Sequence, residues 1–279
     1  MLYLLLSIFS SVLLFVVFRQ MGNPKVNNFQ AVVINYWVAG AIGIAIFHGE
    51  AAQFVSDPGR LGIAALLGCL FIGIFYLMVK TTQEYSISVG SVANKMSVVI
   101  PACAALIIYS EPLTWNKLTG IIIAPIALYL TNKKPGVNSK KLVGILPLAV
   151  FLGSGLIDTL LNFAAYRLVE KFEGSFTTFI FLCAGVVGTV FALIKSKKIN
   201  RATLIGGLIL GTVNFCTIYF VLKALNSRIL DAGAFFPVNN ISIVLGSVLV
   251  SVLFFNEKLT TLNKIGIACA AVSILVLSL

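Results

Sequence analysis

Two charged side chains sit deep within apolar sequence: Lys95, in Ala93-Asn94-Lys95-Met96-Ser97, and Asp158, with Ser154 before it and Asn162 after it. Ser154, Asp158 and Asn162 recur at i, i+4, i+8 and so share one face of a helix. Lys95 lies nine residues inside its apolar run, about 14 Å at helical rise, which is deeper than a lysine stem can snorkel. On insertion scales a charge at the centre of a membrane helix costs about 2.5–3.5 kcal/mol, so each must face a bundle interior and meet a partner, a ligand or water. Lys95 reads as an anion-binding group, or else as half of a structural ion pair or a desolvated neutral amine. Asp158 reads as a coupling site for a proton or another cation, or else as a protonated or hydrogen-bonded packing group. Asn94, Asn214, Asn239 and Asn240 join Lys95 as candidate substrate contacts, and Asn35 adds another amide within an apolar run. Such amides must be satisfied by ligand or by neighbouring helices; as interhelical glue each bond contributes about 0.6 kcal/mol.

The elements that position these groups follow from composition. Of 279 residues, 59% are hydrophobic and 10% charged, too few polar groups to cover a water-soluble surface. Ten runs of roughly 20 residues could each cross a bilayer as a helix: about 2–18, 29–47, 61–79, 86–108, 115–131, 142–165, 175–194, 202–222, 231–255 and 261–278. The first lacks a basic leader and a small-residue cleavage site, and is read as a span rather than a signal peptide. The formal charge of +11 resides in loops between runs, where lipid headgroups attract it, so no nucleic-acid partner is expected. Cys69, Cys103, Cys183, Cys216 and Cys269 all fall inside runs, never as Cys-x-x-Cys, and read as small core hydrophobes. No cofactor or metal is expected. An intramembrane enzyme is disfavoured: the single histidine, His48, lies in a loop near Glu50, and no His-Glu-x-x-His or Gly-x-Ser-x-Gly occurs.

One pattern occurs twice. Glu111-Pro112-Leu113-Thr114 through Gly120 and Glu257-Lys258-Leu259-Thr260 through Gly266 both read Glu-x-Leu-Thr-x5-Gly. In each, the threonine can cap the following helix and the glutamate lies near the positive end of that helix dipole. Gly68, Tyr76 and Lys80 of run three recur as Gly211, Tyr219 and Lys223 of run eight, and Ala39-Gly40-x-x-Gly43 of run two as Ala184-Gly185-x-x-Gly188 of run seven. The glycines read as packing sites, the Tyr/Lys pairs as interfacial anchors. Pro101 and Pro237 are candidate hinges. The organisation is an all-α membrane protein of ten transmembrane helices in two halves, 1–132 and 142–279, joined by a basic linker at 133–141. An odd number of spans per half turns the second copy upside down, an inverted repeat.

An acidic residue closing the fourth run of a five-run unit, with a glycine nine positions on, resembles the EamA-type, ten-helix members of the drug/metabolite transporter superfamily. That resemblance implies a secondary active transporter, not an enzyme, that moves a small polar metabolite by alternating access. Runs one to four and six to nine would line its cavity, with five and ten outside. A flippase for a lipid-linked intermediate is the alternative role in the same superfamily. Trp115 and the outer surfaces of runs five and ten form a candidate homodimer face. Thirteen basic residues follow odd-numbered runs and six follow even-numbered ones, so the odd loops should be cytoplasmic and both termini periplasmic in a bacterial-type inner membrane. In that frame Lys95 lies in the inner half of the bilayer and Asp158 in the outer half, roughly 10 Å apart in depth.

Overall fold

The computed structural model describes residues 2–108, 114–132, 144–167, 172–194, 199–226 and 232–277. These form eleven helices: α1 (Leu2–Gln20), α2 (Asn28–Val55), α3 (Pro58–Glu84), α4 (Ile87–Met96), α5 (Val99–Ile108), α6 (Trp115–Asn132), α7 (Ile145–Arg167), α8 (Glu173–Ile194), α9 (Arg201–Asn226), α10 (Ala232–Phe255) and α11 (Thr261–Leu277). Among the described residues seven stretches are long and apolar enough to cross a membrane: Leu2–Gln20, Asn28–Gly49, Pro58–Glu84, Ile87–Ala104, Gly174–Ile194, Arg201–Val221 and Val238–Phe255. Ile145–Leu161 and Thr261–Leu277 are apolar but shorter, about 25 Å against a hydrocarbon core of about 30 Å. Glu111, the linker 133–141 and the basic residues 195–198 lie outside the described residues.

The helix ends follow from local chemistry. Asn27 caps α2 by accepting from the Gln30 amide, and Asp57 caps α3 ahead of Pro58 at its first turn. Thr114 accepts from the Lys117 amide at 3.3 Å to begin α6. At α11 the Thr260 hydroxyl accepts from the Asn263 amide at 3.1 Å, while the Asn263 side chain accepts from the Thr260 amide at 3.0 Å, a reciprocal cap. Glu257, however, does not serve α11: its carboxylate accepts from the Ile87 amide at 3.1 Å, at the start of α4. A flanking glutamate can reach any helix terminus nearby, and packing of α10 on α4 presents that one.

Run four is two helices. Pro101 supplies no amide to the Ser97 carbonyl, and its ring clashes with the carbonyl four residues back. The chain answers with a turn at Ser97-Val98, where the Ile100 amide takes the Ser97 carbonyl at 2.9 Å. Run nine differs: α10 continues through Pro237, which lies in its second turn, where few helical bonds precede it. α2 carries a further kink at Phe47 (φ −112°, ψ 19°).

Small residues set the packing, as expected where lipid offers no hydrophobic drive between helices. A β-carbon at Gly43 of α2 would clash with Thr178 of α8, and one at Gly188 of α8 would lie 2.8 Å from Val33 of α2, so the two helices run antiparallel. α6 and α11 pair likewise: a β-carbon at Gly120 would lie 3.1 Å from the Ser273 carbonyl, and one at Gly266 would lie 2.6 Å from the Thr131 backbone nitrogen. Ser273 donates to the Gly120 carbonyl at 2.7 Å, and the Asn263 amide to the Thr131 carbonyl at 2.8 Å. Gly68 of α3 abuts Ile180 and Ala184 of α8, while Gly211 of α9 abuts Asn35 and Val38 of α2. The buried centre is aromatic, with Phe18, Phe75, Tyr36 and Phe181 in a chain of ring contacts; the Tyr36 hydroxyl donates to the Phe71 carbonyl at 3.0 Å. All five cysteines are free, and Cys69 lies on the exposed face rather than in the core, which a lipid-facing helix surface tolerates because it is as apolar as the interior. Lys223 holds its ammonium 5.6 Å over the Tyr219 ring.

Candidate functional site

A cavity of about 210 Å³ opens among α1, α3, α4, α7 and α9. Its polar wall is Asn94 and Lys95 of α4, Ser154 and Asp158 of α7, and Asn214 and Thr217 of α9; Ser11 of α1 completes it. Phe15, Phe71 and Phe75 form much of the apolar remainder.

The break at Ser97-Val98 decides the electrostatics. It creates a helix C-terminus and a helix N-terminus in the middle of the bundle, with partial negative and positive charge respectively. Lys95 occupies the last turn of α4, where a cation is favoured. Asp158 accepts from the Ser97 hydroxyl at 3.2 Å, which places it beside the start of α5, where an anion is favoured. No ion pair within 4.0 Å joins the two, and among the described residues no hydrogen bond engages the Lys95 ammonium. Lys95 therefore presents its donors to the cavity.

Neutral groups fix the frame. The Asn94 amide donates to the Ser154 hydroxyl at 3.1 Å, tying α4 to α7. Asn214 donates to the Asn35 carbonyl oxygen at 3.1 Å, tying α9 to α2. Asn239 accepts from the Ser7 hydroxyl at 2.9 Å and, like Asn240, is not part of the cavity wall. Gly120 and Gly266 lie at the α6–α11 contact and Glu257 at the start of α4.

The expected separation of Lys95 and Asp158 in depth does not keep them apart: both line one cavity. α7 starts at Ile145, later than the apolar run, which removes about 4.5 Å of the offset. Helical side chains also lean toward their N-terminus, which lowers Asp158, and its partner Ser97 lies two residues beyond Lys95. Ser11, Ser97 and Thr217 were not singled out in the sequence. Ser11 had a signal, since Ser7 and Ser11 stand one turn apart in an apolar run; Ser97 and Thr217 resemble any other hydroxyl until α5 breaks from α4.

Residues 1–133 match the model of the EamA-like transporter family, part of the drug/metabolite transporter superfamily. Over that stretch the chain is similar to the EamA-like transporter family. An uncharacterized protein of Haemophilus influenzae is 28% identical over 251 residues, covering 85% of this chain and 84% of its own. A solved crystal structure of a protein with 14% identity shares the fold at a TM-score of 0.62, covering 98% of this chain and 96% of that one. The stretch that matches the family model contributes Ser11, Asn94 and Lys95 to the cavity, and the rest of the chain contributes Ser154, Asp158, Asn214 and Thr217.

Proposed function

We propose that this EamA-like protein is a secondary active transporter of a small polar metabolite, working by alternating access at a cavity between two inverted five-helix repeats, 1–132 and 142–279. The observation that carries the reading is a cavity in a membrane bundle lined by both a lysine and an aspartate that make no direct ion pair. Lys95 receives the anionic group of the substrate, with Asn94 and Asn214 as further polar contacts. Asp158 takes the coupling proton or cation. Asn239 and Asn240 enter the binding set only in another conformation of the cycle.

The inverted arrangement is supported by reciprocity. The two Glu-x-Leu-Thr-x5-Gly glycines each pack on the far end of the other's helix. The α4–α7 bond between Asn94 and Ser154 has a counterpart in the α10–α1 bond between Asn239 and Ser7. In that correspondence Asn240 stands where Lys95 does, and Ser11 where Asp158 does, so each half supplies one charge that has no charged counterpart in the other. A structural polar pair would serve both halves alike, and the asymmetry points to a ligand.

The test is a thermal-shift panel of amino acids, nucleosides, sugar phosphates and drug cations on the purified protein, followed by uptake of the stabilising compound into proteoliposomes. A ligand at a hundredfold its Kd adds about 2.7 kcal/mol to stability. Binding that is lost in Lys95→Ala, together with uptake driven by an imposed proton or cation gradient, is the expected result. Uptake by Lys95→Ala at the wild-type rate would overturn the site.

A further inference from the structure

We propose that Glu257 is a detachable clamp between the two halves, holding the N-terminus of α4 and through it the Lys95 end of that short helix. This goes beyond the transporter reading, on which its place in the cycle rests. Among described residues other than glycine, Asn256 alone has a positive φ, 50°, a left-handed conformation that costs free energy and that asparagine tolerates better than most residues. That turn ends α10 and sends the Glu257 amide back to the Ser251 carbonyl at 3.1 Å. Its carboxylate then points at α4, taking the Ile87 amide at 3.1 Å and the Ser88 hydroxyl at 3.4 Å. Ser88 in turn meets Ser251 at 2.7 Å, and both serines are buried, at 1% and 0% exposure. α4 is only ten residues long and separated from α5, so it can move as a unit: Glu257 grips one end and Lys95 occupies the other. A carboxylate on free amides at a helix N-terminus is favoured by the helix dipole, yet these contacts cross from one half to the other and must part if the halves rock. Backbone strain held at such a joint is a recurrent feature of parts that switch. Glu257 is therefore a positioning residue, acting on the cavity through α4.

The experiment uses the full chain with its five cysteines replaced and a single Ser91→Cys probe, which lies one turn into α4 and is fully buried at 0% exposure. The rate of modification by a water-soluble maleimide is measured in proteoliposomes at a fixed temperature, below melting for every variant. In Glu257→Ala the rate is expected to rise roughly tenfold, since one charge-assisted hydrogen bond shifts an opening equilibrium by about that factor. Glu257→Gln keeps an acceptor for the Ile87 amide but loses the charge, and should fall between Ala and wild type. Should Glu257→Ala fail to fold, Glu257→Gln and Glu257→Asp decide the matter alone. A lowered melting temperature with unchanged labelling would mean a merely structural cap and would overturn the proposal, as would Gln labelling at the wild-type rate. Because the readout needs no substrate, a wild-type chain that transports nothing would sink the transporter reading while leaving the clamp result standing.

Discussion

In the proposed site the two charged side chains are Lys95 and Asp158, and their surroundings determine how each responds to substitution. Had Lys95 and Asp158 formed a buried ion pair, removing either would strand the other and cost about 3–5 kcal/mol. They instead lie beyond direct ion-pair distance while still acting on each other's charge, with Ser97 bonded to Asp158. Asp158→Asn and Lys95→Met should therefore each melt within a few degrees of wild type, measured by differential scanning calorimetry or a thiol-reactive dye; a drop on the scale of a stranded charge would show that the two are paired. Function should part the same variants. Lys95→Ala should abolish transport in proteoliposomes, whereas Asp158→Asn should keep exchange of substrate across the membrane but lose accumulation driven by an ion gradient. Asp158→Asn that still concentrates substrate would remove Asp158 from coupling.

At the level of elements, the broken span and the glycine contacts do the positioning. Pro101→Ala restores an amide to the Ser97 carbonyl and favours one continuous helix by about 3 kcal/mol of intrinsic propensity. The expected outcome is an unchanged or higher melting temperature with substrate affinity weakened at least tenfold, because joining α4 to α5 removes the helix ends that face Lys95 and Asp158. Equal affinity in a stabilised Pro101→Ala would show that the break is incidental. The glycines supply a second comparison. A β-carbon at Gly266 would lie 2.6 Å from backbone, whereas Gly73 has nothing within 4 Å. Gly266→Val should cost about 1–3 kcal/mol by overpacking, and Gly73→Ala should be neutral or gain up to about 1 kcal/mol from helix propensity. Thermal melts in one detergent would rank them, and a reversed order would contradict the close α6–α11 contact.

For the whole molecule the open prediction is orientation. Thirteen basic residues in odd-numbered loops against six in even-numbered ones predict periplasmic termini. A C-terminal fluorescent reporter that matures only in the cytoplasm should stay dark, with a C-terminal phosphatase fusion active instead. A bright reporter would invert the molecule without altering the cavity.

The helical class, the apolar runs, the threonine caps at α6 and α11 and the paired Glu-x-Leu-Thr-x5-Gly stretches were legible because they depend on residues a few positions apart. Capping, periodicity and hydropathy are local physics, and Lys95 and Asp158 stood out because a charge in apolar sequence is costly wherever the chain folds. What the sequence left open depends on contacts between distant segments. Glu257 could have served α11, and only the packing of α10 against α4 assigns it to Ile87. Ser97 and Thr217 gained significance when the Pro101 break and the approach of α7 and α9 enclosed them in the cavity. The depth of Asp158 relative to Lys95 likewise escaped run boundaries, since the start of a helix, the lean of its side chains and the partner across the gap are fixed only when the helices pack.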